Sequence, residues 1–332
     1  MDTWDNPAYE TALAYQRTAA LLAAVRLNIF TLIGAGAATS DELAEKTGAS
    51  GRGVRILCDF LTVIGLLEKS GCVYRVEAIA RRYLDKASPA WIASAVEFFA
   101  APETLGLVLT DPASYVRRGG SDGLAHLAPN HSIWVRFAEA MTPIASVTAK
   151  RAAACLARLG DRPGKVLDVA AGHGLYGIEL ARRLPEANVT AVDWPEVLTL
   201  ARRNADDAGV GNRFRTVAGS AFEAEWGRGF DLVLLANFLH HFGREDCSTL
   251  LQKTRASLAP KGRACAIDFI PNEDRVSPPM QAMFAFWMLA TTPKGDAYTL
   301  NDITEIAQDA GFKRVTARPL KPTPQTLVLF EA

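Results

Sequence analysis

The spacing of apolar positions along the chain changes once, close to residue 160. Before that point apolar residues recur every three or four positions, as in 8–33, which is the spacing of helices with one buried face. Beyond it, short continuous apolar runs alternate with helical stretches, the pattern of buried parallel strands joined by helices. The pattern predicts two domains, a mostly helical one at 1–160 and an α/β one at 161–332.

The first domain is predicted to contain three helices followed by a β-hairpin. The helices fall at 8–33, 39–48 and about 52–67, and the hairpin, with a Lys-Ser-Gly turn, falls at 67–76. This order is typical of a winged helix, which serves either DNA binding or packing between subunits. The third helix is mostly apolar, whereas a helix in a DNA groove needs basic and polar side chains that reach phosphates and bases. We therefore expect a packing and dimerisation module.

The second domain is predicted to be an open, mostly parallel sheet with helices on both faces. Its last two strands are joined by Lys321–Pro324, which is too short for a crossover helix and predicts an antiparallel pair. The predicted strands are 166–170, 189–193, 214–217, 230–236, 262–269, 313–320 and 326–330.

A glycine-rich turn follows the first of these strands and opens a helix. Gly172, Gly174 and Gly177 spell Gly-x-Gly-x-x-Gly, which lets the backbone approach a nucleotide at a helix N-terminus. The motif fits either a nicotinamide dinucleotide or S-adenosylmethionine. Asp168, which enters the turn, would repel an anionic pyrophosphate but tolerates a sulfonium with an amino-acid tail. The antiparallel end of the sheet also favours S-adenosylmethionine, which leaves a nicotinamide oxidoreductase as the weaker alternative.

Polar and aromatic residues follow the strands at the edge where ligands bind in such sheets. Asp193 ends the second strand and is predicted to bind both ribose hydroxyls. Trp194 and Phe222 are predicted to sandwich the adenine, and Ser220 to bond its edge. The residues predicted to bind the cofactor are Asp168, Ala170, Gly172, Gly174, Asp193, Trp194, Ser220, Ala221, Phe222 and Asn237.

Two adjacent histidines, His240 and His241, follow the fourth strand. An unperturbed imidazole pKa of about 6.5 suits a general base near neutrality. Asp268, at the end of the neighbouring strand, is placed to orient such a base through its other nitrogen. Two alternatives are open: a histidine that only bonds the backbone, and a metal site made of these three residues. Adjacent side chains usually point apart, so no metal is predicted.

Apolar side chains near these strand ends are candidates for the wall of an acceptor pocket. The segment 133–141 leads towards the glycine-rich turn, and the apolar segment 278–289 is predicted to form a helical lid. For both segments, plain core packing is the alternative. The residues predicted to line the pocket are Trp134, Phe137, Met141, Phe238, Phe284 and Met288.

Composition narrows the choice of partners. The chain of 332 residues has 36 Lys plus Arg and 36 Asp plus Glu, and this zero formal charge argues against a general binder of nucleic acid or of anionic membranes. The 5 cysteines are scattered without a C-x-x-C pair, which is typical of reduced thiols in a cytoplasmic protein. We find neither a signal peptide nor an apolar run of about 20 residues, the length that spans a bilayer.

Along its whole length the chain resembles the plant and bacterial O-methyltransferase family that includes caffeate and hydroxyindole O-methyltransferases. The resemblance rests on Leu167-Asp-Val-Ala-Ala-Gly-His-Gly174, Asp193-Trp-Pro195 and Leu239-His-His-Phe242. It implies a class I methyltransferase domain, which is Rossmann-like with a mostly parallel seven-stranded sheet and an antiparallel C-terminal strand. It also implies a winged-helix dimerisation domain, a homodimer and a small hydroxylated acceptor. By resemblance, His240 is the catalytic base and Asp268 is its acidic partner.

Three positions depart from the family pattern. Ser220 replaces a carboxylate that binds adenine, and Ala236 replaces a frequent lysine or arginine. Ala297 replaces a second carboxylate beside the base, for which the neighbouring Asp296 is a candidate substitute. The acceptor cannot be read from the sequence, so methyl transfer to sulfur, carbon or nitrogen is an alternative to O-methylation. A regulator that senses S-adenosylmethionine and binds DNA is a further alternative.

Overall fold

The computed structural model describes residues 6–36, 38–124, 128, 130–159 and 162–332. These residues form two compact units, the first reaching to Leu105 and the second beginning at Gly106. The predicted domain boundary at 160–161 lies outside the described residues. The helices of the described ranges are all too short or too polar to span a bilayer.

The first unit is mostly helical and contains a small antiparallel sheet. In chain order its elements are α1 (Pro7–Leu13), α2 (Tyr15–Arg26), α3 (Ile29–Gly34), β1 (Ala38–Thr39), α4 (Ser40–Thr47), α5 (Gly51–Val63), β2 (Leu67–Ser70), β3 (Val73–Val76), α6 (Ala78–Leu84) and α7 (Ala93–Phe99). Strand β3 pairs antiparallel with both β1 and β2, which confirms the hairpin predicted at 67–76. Helix α8 (Pro102–Leu109) crosses from the first unit into the second.

The prediction of a single long helix at 8–33 is wrong, because three helices occupy that stretch. The helical structure is interrupted at Ala14 and at Asn28, and Asn28 adopts a left-handed conformation with φ of 54°. Asparagine is one of the few side chains that tolerate this region, so it can separate two helices. Ala24 and Ile29, on either side of the break, are both fully buried in the same core, which explains why their spacing alone suggests one helix.

Helices α4 and α5 form as the sequence predicts, apart from one boundary. At the start of α4, the Thr39 hydroxyl accepts the Glu42 N–H at 3.3 Å, and the Glu42 carboxylate accepts the Thr39 N–H at 2.7 Å. Helix α5 ends at Val63 rather than near residue 67, because Gly65 turns the chain with a φ of 77°.

The second unit is a sheet with helices on both faces. In chain order the elements are α9 (Pro112–Arg118), α10 (Ile133–Arg158), β4 (Lys165–Val169), α11 (Leu175–Arg183), β5 (Asn188–Asp193), α12 (Pro195–Asp207), β6 (Phe214–Ala218), β7 (Phe230–Ala236), α13 (Arg244–Ser257), β8 (Leu258–Asp268), α14 (Pro279–Thr291), α15 (Leu300–Asp309), β9 (Arg314–Pro319) and β10 (Thr326–Glu331). Val166 on β4 packs in a core shared with α10, α11 and α12, whereas the next residue, Leu167, packs in a core shared with α13 and α15.

The sheet has seven strands in the order β6-β5-β4-β7-β8-β10-β9. Strands β4 to β8 pair in parallel, whereas β10 pairs antiparallel with both β8 and β9. The predicted fold class and the predicted antiparallel end of the sheet are therefore confirmed. Because parallel strands end at one edge, the sheet gathers Val169, Asp193, Ala218, Ala236 and Asp268 along that edge.

Candidate active site

The three glycines of the turn between β4 and α11 have different surroundings. Gly172 has a φ of 56°, and a Cβ placed on it would meet no heavy atom within 4 Å, so this part of the backbone borders open space. Gly174 has a φ of 76°, and its Cβ would lie 3.1 Å from Ala201 in the core. A Cβ on Gly177 would lie only 2.7 Å from Val189, so this glycine allows α11 to pack closely on β5. The turn therefore leaves Gly172 as the surface for a ligand.

Asp168 lies behind this turn rather than on its open side. The side chain is buried, and one oxygen accepts the Gly177 N–H at 3.0 Å. Burial raises the pKa of Asp168 to about 8, an effect that the hydrogen bond only partly opposes. This contact anchors the start of α11 to the end of β4. Direct contact between Asp168 and a cofactor stays a prediction.

Asp168→Asn should flatten the pH dependence of stability between about pH 4 and pH 8. Because folding raises the pKa of Asp168 to about 8 from its usual 3.8, the folded protein holds a proton there that the unfolded chain has released. The resulting stabilisation is complete below about pH 4 and is lost as the pH rises through 8. Asparagine keeps an oxygen for the Gly177 N–H and has no proton to lose. Urea unfolding of both proteins across this range measures the difference, and parallel pH profiles would contradict it.

Asp193 lies beside the glycine-rich turn and binds the backbone of Gly172. One carboxylate oxygen accepts the Gly172 N–H at 2.8 Å, and the other accepts the Trp194 N–H at 2.7 Å. Partial burial raises the pKa of Asp193, against the lowering effect of these two bonds. Each oxygen has a second lone pair, so the fixed carboxylate can still accept two hydroxyl groups from a ribose.

The aromatic residues predicted to hold the adenine follow two neighbouring strands, Trp194 after β5 and Phe222 after β6. Trp194 is partly buried and packs against a small cluster that contains Ala138 of α10, as does Trp134. Trp134, predicted to line the acceptor pocket, therefore packs in the same cluster as a predicted cofactor residue. Phe222 packs edge-to-face on Phe242 with ring centroids 5.0 Å apart. Ser220 accepts the Phe222 N–H at 3.2 Å, which shapes the loop after β6.

Asn237 supplies an unpaired polar atom at the end of β7. Its backbone is left-handed, with a φ of 51°, and its Nδ2 donates to the Tyr176 hydroxyl at 2.8 Å. Its Oδ1 is buried and has no hydrogen-bond partner among the described residues. An orphaned acceptor of this kind fits the ammonium group of the amino-acid tail of S-adenosylmethionine. The open backbone at Gly172 and the fixed carboxylate of Asp193 fit its adenosyl part.

Tyr176 is a residue of this site that the sequence reasoning missed. It lies in the first turn of α11, where helical spacing suggests only core packing. Burial raises the pKa of its hydroxyl, which therefore keeps its proton while it accepts the bond from Asn237. Its position directly before the third glycine of the motif is the one signal that could have drawn attention to it.

His240 and Asp268 form a buried pair at the ends of β7 and β8. His240 Nδ1 lies 2.6 Å from Asp268 Oδ1, and the two side chains are 5% and 4% exposed. The same carboxylate oxygen accepts the Phe269 N–H at 2.8 Å, and the His240 carbonyl accepts the Asp296 N–H at 3.0 Å. With Asp268 as acceptor, Nδ1 carries the proton, which leaves the Nε2 lone pair free to accept one. This is the arrangement of an oriented general base.

The two adjacent histidines do not point apart, contrary to the expectation from sequence. The rings of His240 and His241 lie 4.3 Å apart at an angle of 55°. Burial, followed by the proximity of His240, lowers the pKa of His241 well below its usual value, so this second ring is uncharged near neutrality. Within the described ranges, no group of three or more His, Cys, Asp or Glu side chains could hold a metal ion.

Two of the six residues predicted to line an acceptor pocket contact the catalytic region directly. Phe284 on α14 stacks on Phe269 at 4.3 Å and meets the His240 ring edge-to-face at 4.8 Å. Phe238 packs on Phe242 at 4.9 Å, just before the histidines. The predicted helix at 278–289 is confirmed as α14. Of the other four, Trp134 packs in the cluster with Trp194, Met288 is buried, and Phe137 and Met141 are partly buried.

Asp296 does not replace the missing second carboxylate beside His240. Its side chain is 41% exposed and pairs with Arg275 at 3.4 Å, so only its backbone N–H supports the base. Ala297 itself is buried and provides no polar group. Among the described residues, the carboxylate that contacts the His240 ring is therefore that of Asp268.

Sequence comparisons agree with this geometry. Residues 120–313 match the profile of the O-methyltransferase domain, and residues 9–86 match that of the O-methyltransferase dimerisation domain. The chain is 29% identical over 313 residues to 3-hydroxy-5-methyl-1-naphthoate 3-O-methyltransferase of Streptomyces sahachiroi, with 92% of this chain and 89% of the relative covered. It is 26% identical over 328 residues to mouse acetylserotonin O-methyltransferase, with 93% and 84% covered.

Solved structures have the same fold over the whole chain. A protein of Nostoc punctiforme PCC 73102, described as a candidate O-methyltransferase, superposes with a TM-score of 0.93 at 42% identity, over 98% of this chain and 99% of that one. Human N-acetylserotonin methyltransferase, solved in complex with S-adenosylmethionine, has a TM-score of 0.85 at 21% identity, over 100% and 99% of the two chains. The profile match spans more than half of the chain and includes both the glycine-rich turn and the histidine pair. We conclude that the chain belongs to the O-methyltransferase family.

Proposed function

We propose that this enzyme methylates the hydroxyl oxygen of a small phenolic acceptor, with His240 as the general base and Asp268 as its partner. The observation that carries the proposal is the buried 2.6 Å contact between these two side chains at the edge of the sheet, beside the glycine-rich turn. The ring of Phe284, edge-to-face with His240, offers an apolar wall for a flat aromatic acceptor. The S. sahachiroi relative is named for a hydroxylated aromatic acid as its acceptor.

The cofactor site is proposed to lie on the open side of the turn. Asp193 would bind the ribose hydroxyls, and Gly172 would let the backbone approach. Asn237 Oδ1 would accept a bond from the ammonium of the amino-acid tail. Trp194 and Phe222 would flank the adenine. When bound, S-adenosylmethionine supplies a methyl group made electrophilic by its sulfonium.

The residues of the chain then have simple tasks. His240 Nε2 accepts the proton of the acceptor hydroxyl, while Asp268 holds the ring through Nδ1 and stabilises the imidazolium that forms. The oxygen, freed of its proton, becomes the nucleophile. Positioning of the two reactants by the pocket walls accounts for a large share of the acceleration, and the base adds typically about 10²–10⁴-fold.

Titration by calorimetry tests the cofactor assignment. We expect S-adenosylmethionine and S-adenosylhomocysteine to bind with one site per chain, and NAD to give no measurable heat, because the orphaned Asn237 oxygen suits an ammonium group rather than an anionic pyrophosphate. Binding of NAD in preference to S-adenosylmethionine would contradict the proposal. If S-adenosylmethionine binds but thiols or amines rather than phenols are methylated, only the acceptor class is wrong.

The first unit is proposed to be a winged-helix dimerisation domain that makes the enzyme a homodimer. Residues 9–86 match the dimerisation domain of the family. Large apolar side chains on this unit are exposed in the single chain, among them Val63 at 83% and Ile79 at 60%. Sedimentation equilibrium should give twice the mass of one chain, and a monomer at all concentrations would contradict this.

The five unpaired cysteines support a cytoplasmic location.

A further inference from the structure

Lys253 on α13 makes an unusual set of contacts with the loop after β6. Its ammonium donates to three backbone carbonyls, those of Ala221 at 3.2 Å, Phe222 at 2.8 Å and Ala224 at 2.9 Å. It also lies 4.2 Å from the centre of the Trp226 ring, a cation–π distance. One lysine therefore binds three carbonyls of a loop that is not part of the sheet.

The chemistry of the ammonium suits this task. A lysine has three N–H donors and no acceptor, and all three are used by the carbonyls here. Hydrogen bonds from a charged donor are stronger than those between neutral groups, so they can fix a loop that lacks regular structure. Because no donor is left over, Lys253 acts on a ligand only through the loop that it holds.

The loop in question is the one expected to contact the adenine. Residues 219–224, called the adenine loop below, include Ser220, Ala221 and Phe222. The Phe222 side chain packs on Phe242, while its carbonyl is bound by Lys253. The position of the Phe222 ring is thus set from two sides, by an aromatic contact and by a charged hydrogen bond to its backbone.

Nearer its N-terminus, helix α13 also contacts the turn Leu239–His241 that carries His240, called the catalytic turn below. The Cys247 thiol donates to the Leu239 carbonyl at 3.2 Å, directly before His240. Burial raises the pKa of Cys247 to about 12, so the thiol keeps the proton that it donates. Cys247 and Lys253 are six residues apart, about 9 Å along a helix. One rigid helix therefore contacts both the turn that carries the base and the loop that faces the adenine.

We propose that Lys253 is a positioning residue for the adenine of S-adenosylmethionine, and that α13 fixes the adenine loop and the catalytic turn at a set separation. The proposal rests on the cofactor site proposed above. It assigns a cofactor-binding effect to Lys253 and a catalytic effect to Cys247, although neither side chain touches a reactant.

Lys253→Met tests the first half of the proposal. We expect the Kd of S-adenosylhomocysteine and of 5′-methylthioadenosine to rise by the same factor, about ten- to hundredfold, because both ligands contain the adenosyl group that the loop contacts. At saturating S-adenosylmethionine, kcat and the KM for the acceptor should stay within about twofold of wild type. Lys253→Arg should recover most of the affinity, since a guanidinium also donates to carbonyls. Lys261→Met, at an exposed lysine on β8, is the matched control.

Cys247→Ala tests the second half of the proposal. It should lower kcat several-fold and leave both Kd values unchanged, and Cys247→Ser, which keeps a hydrogen-bond donor, should recover most of the lost kcat. A Lys253→Met enzyme with wild-type affinity, or one that loses kcat and affinity together, would overturn the proposal. If Lys253→Met does not fold by near-ultraviolet circular dichroism, Lys253→Gln decides by the same criteria. Failure of the wild-type enzyme to bind S-adenosylhomocysteine would instead contradict the cofactor site itself.

Discussion

Replacing His240 with glutamine is expected to lower kcat by about 10²–10⁴-fold while S-adenosylmethionine still binds normally. Glutamine is similar in size and can still donate to Asp268, but it has no basic nitrogen to accept the acceptor's proton. The loss should be measured at saturating concentrations of both substrates, and the affinity for S-adenosylhomocysteine should be measured separately by calorimetry. The expected split, in which kcat falls and Kd is unchanged, separates a lost base from a collapsed site.

His241→Gln provides a comparison on the same turn. Among the described residues, His240 has a carboxylate partner whereas His241 has none, so we expect the second substitution to cost far less activity than the first. Equal losses in the two variants, or near wild-type turnover in His240→Gln, would remove His240 from the role of base.

Replacing Asp193 with alanine is expected to raise the Kd for S-adenosylmethionine by about 10²–10³-fold or more. The carboxylate is placed to accept two ribose hydroxyls, and hydrogen bonds to a charged group contribute about 1.5–3 kcal/mol each, with about 1.4 kcal/mol for each tenfold change in Kd. The variant also leaves the N–H groups of Gly172 and Trp194 without their acceptor, which loosens the turn.

Asp207→Ala is the matched control for this experiment. Asp207 lies at the exposed end of α12, which begins two residues after Asp193, and its removal should leave the Kd unchanged. Calorimetry with S-adenosylhomocysteine measures both variants, and thermal unfolding in the absence of ligand verifies that each is folded. An Asp193 variant that binds as well as the wild type would exclude the carboxylate from the cofactor site.

The parts of the fold that depend on local patterns were predicted correctly. A buried strand, a glycine-rich turn and a helix follow one another within a few residues, so their order is readable from apolar runs and glycines alone. The antiparallel end of the sheet followed from a connection too short to cross over. The pairing of His240 with Asp268 followed because parallel neighbouring strands must end side by side, as the structure confirms.

One local helix break and two contacts between distant segments could not be predicted in the same way. The break at Asn28 depends on a single left-handed residue inside an otherwise regular apolar pattern. The burial of Asp168 depends on how closely α11 packs on the sheet, which Gly177 decides. Lys253 reads as an ordinary polar position of a helix, because its three carbonyl acceptors lie about thirty residues earlier in the chain.

Transfer of an isotopically labelled methyl group tests the central claim most directly. The enzyme should be incubated with methyl-deuterated S-adenosylmethionine and a panel of phenols, thiols and amines, and the products analysed by mass spectrometry with fragmentation. We expect the labelled methyl to appear on a phenolic oxygen, with one S-adenosylhomocysteine formed per methyl transferred, and His240→Gln to form this product at least about a hundredfold more slowly. Label on carbon, sulfur or nitrogen alone, or equal rates for the two enzymes, would contradict it.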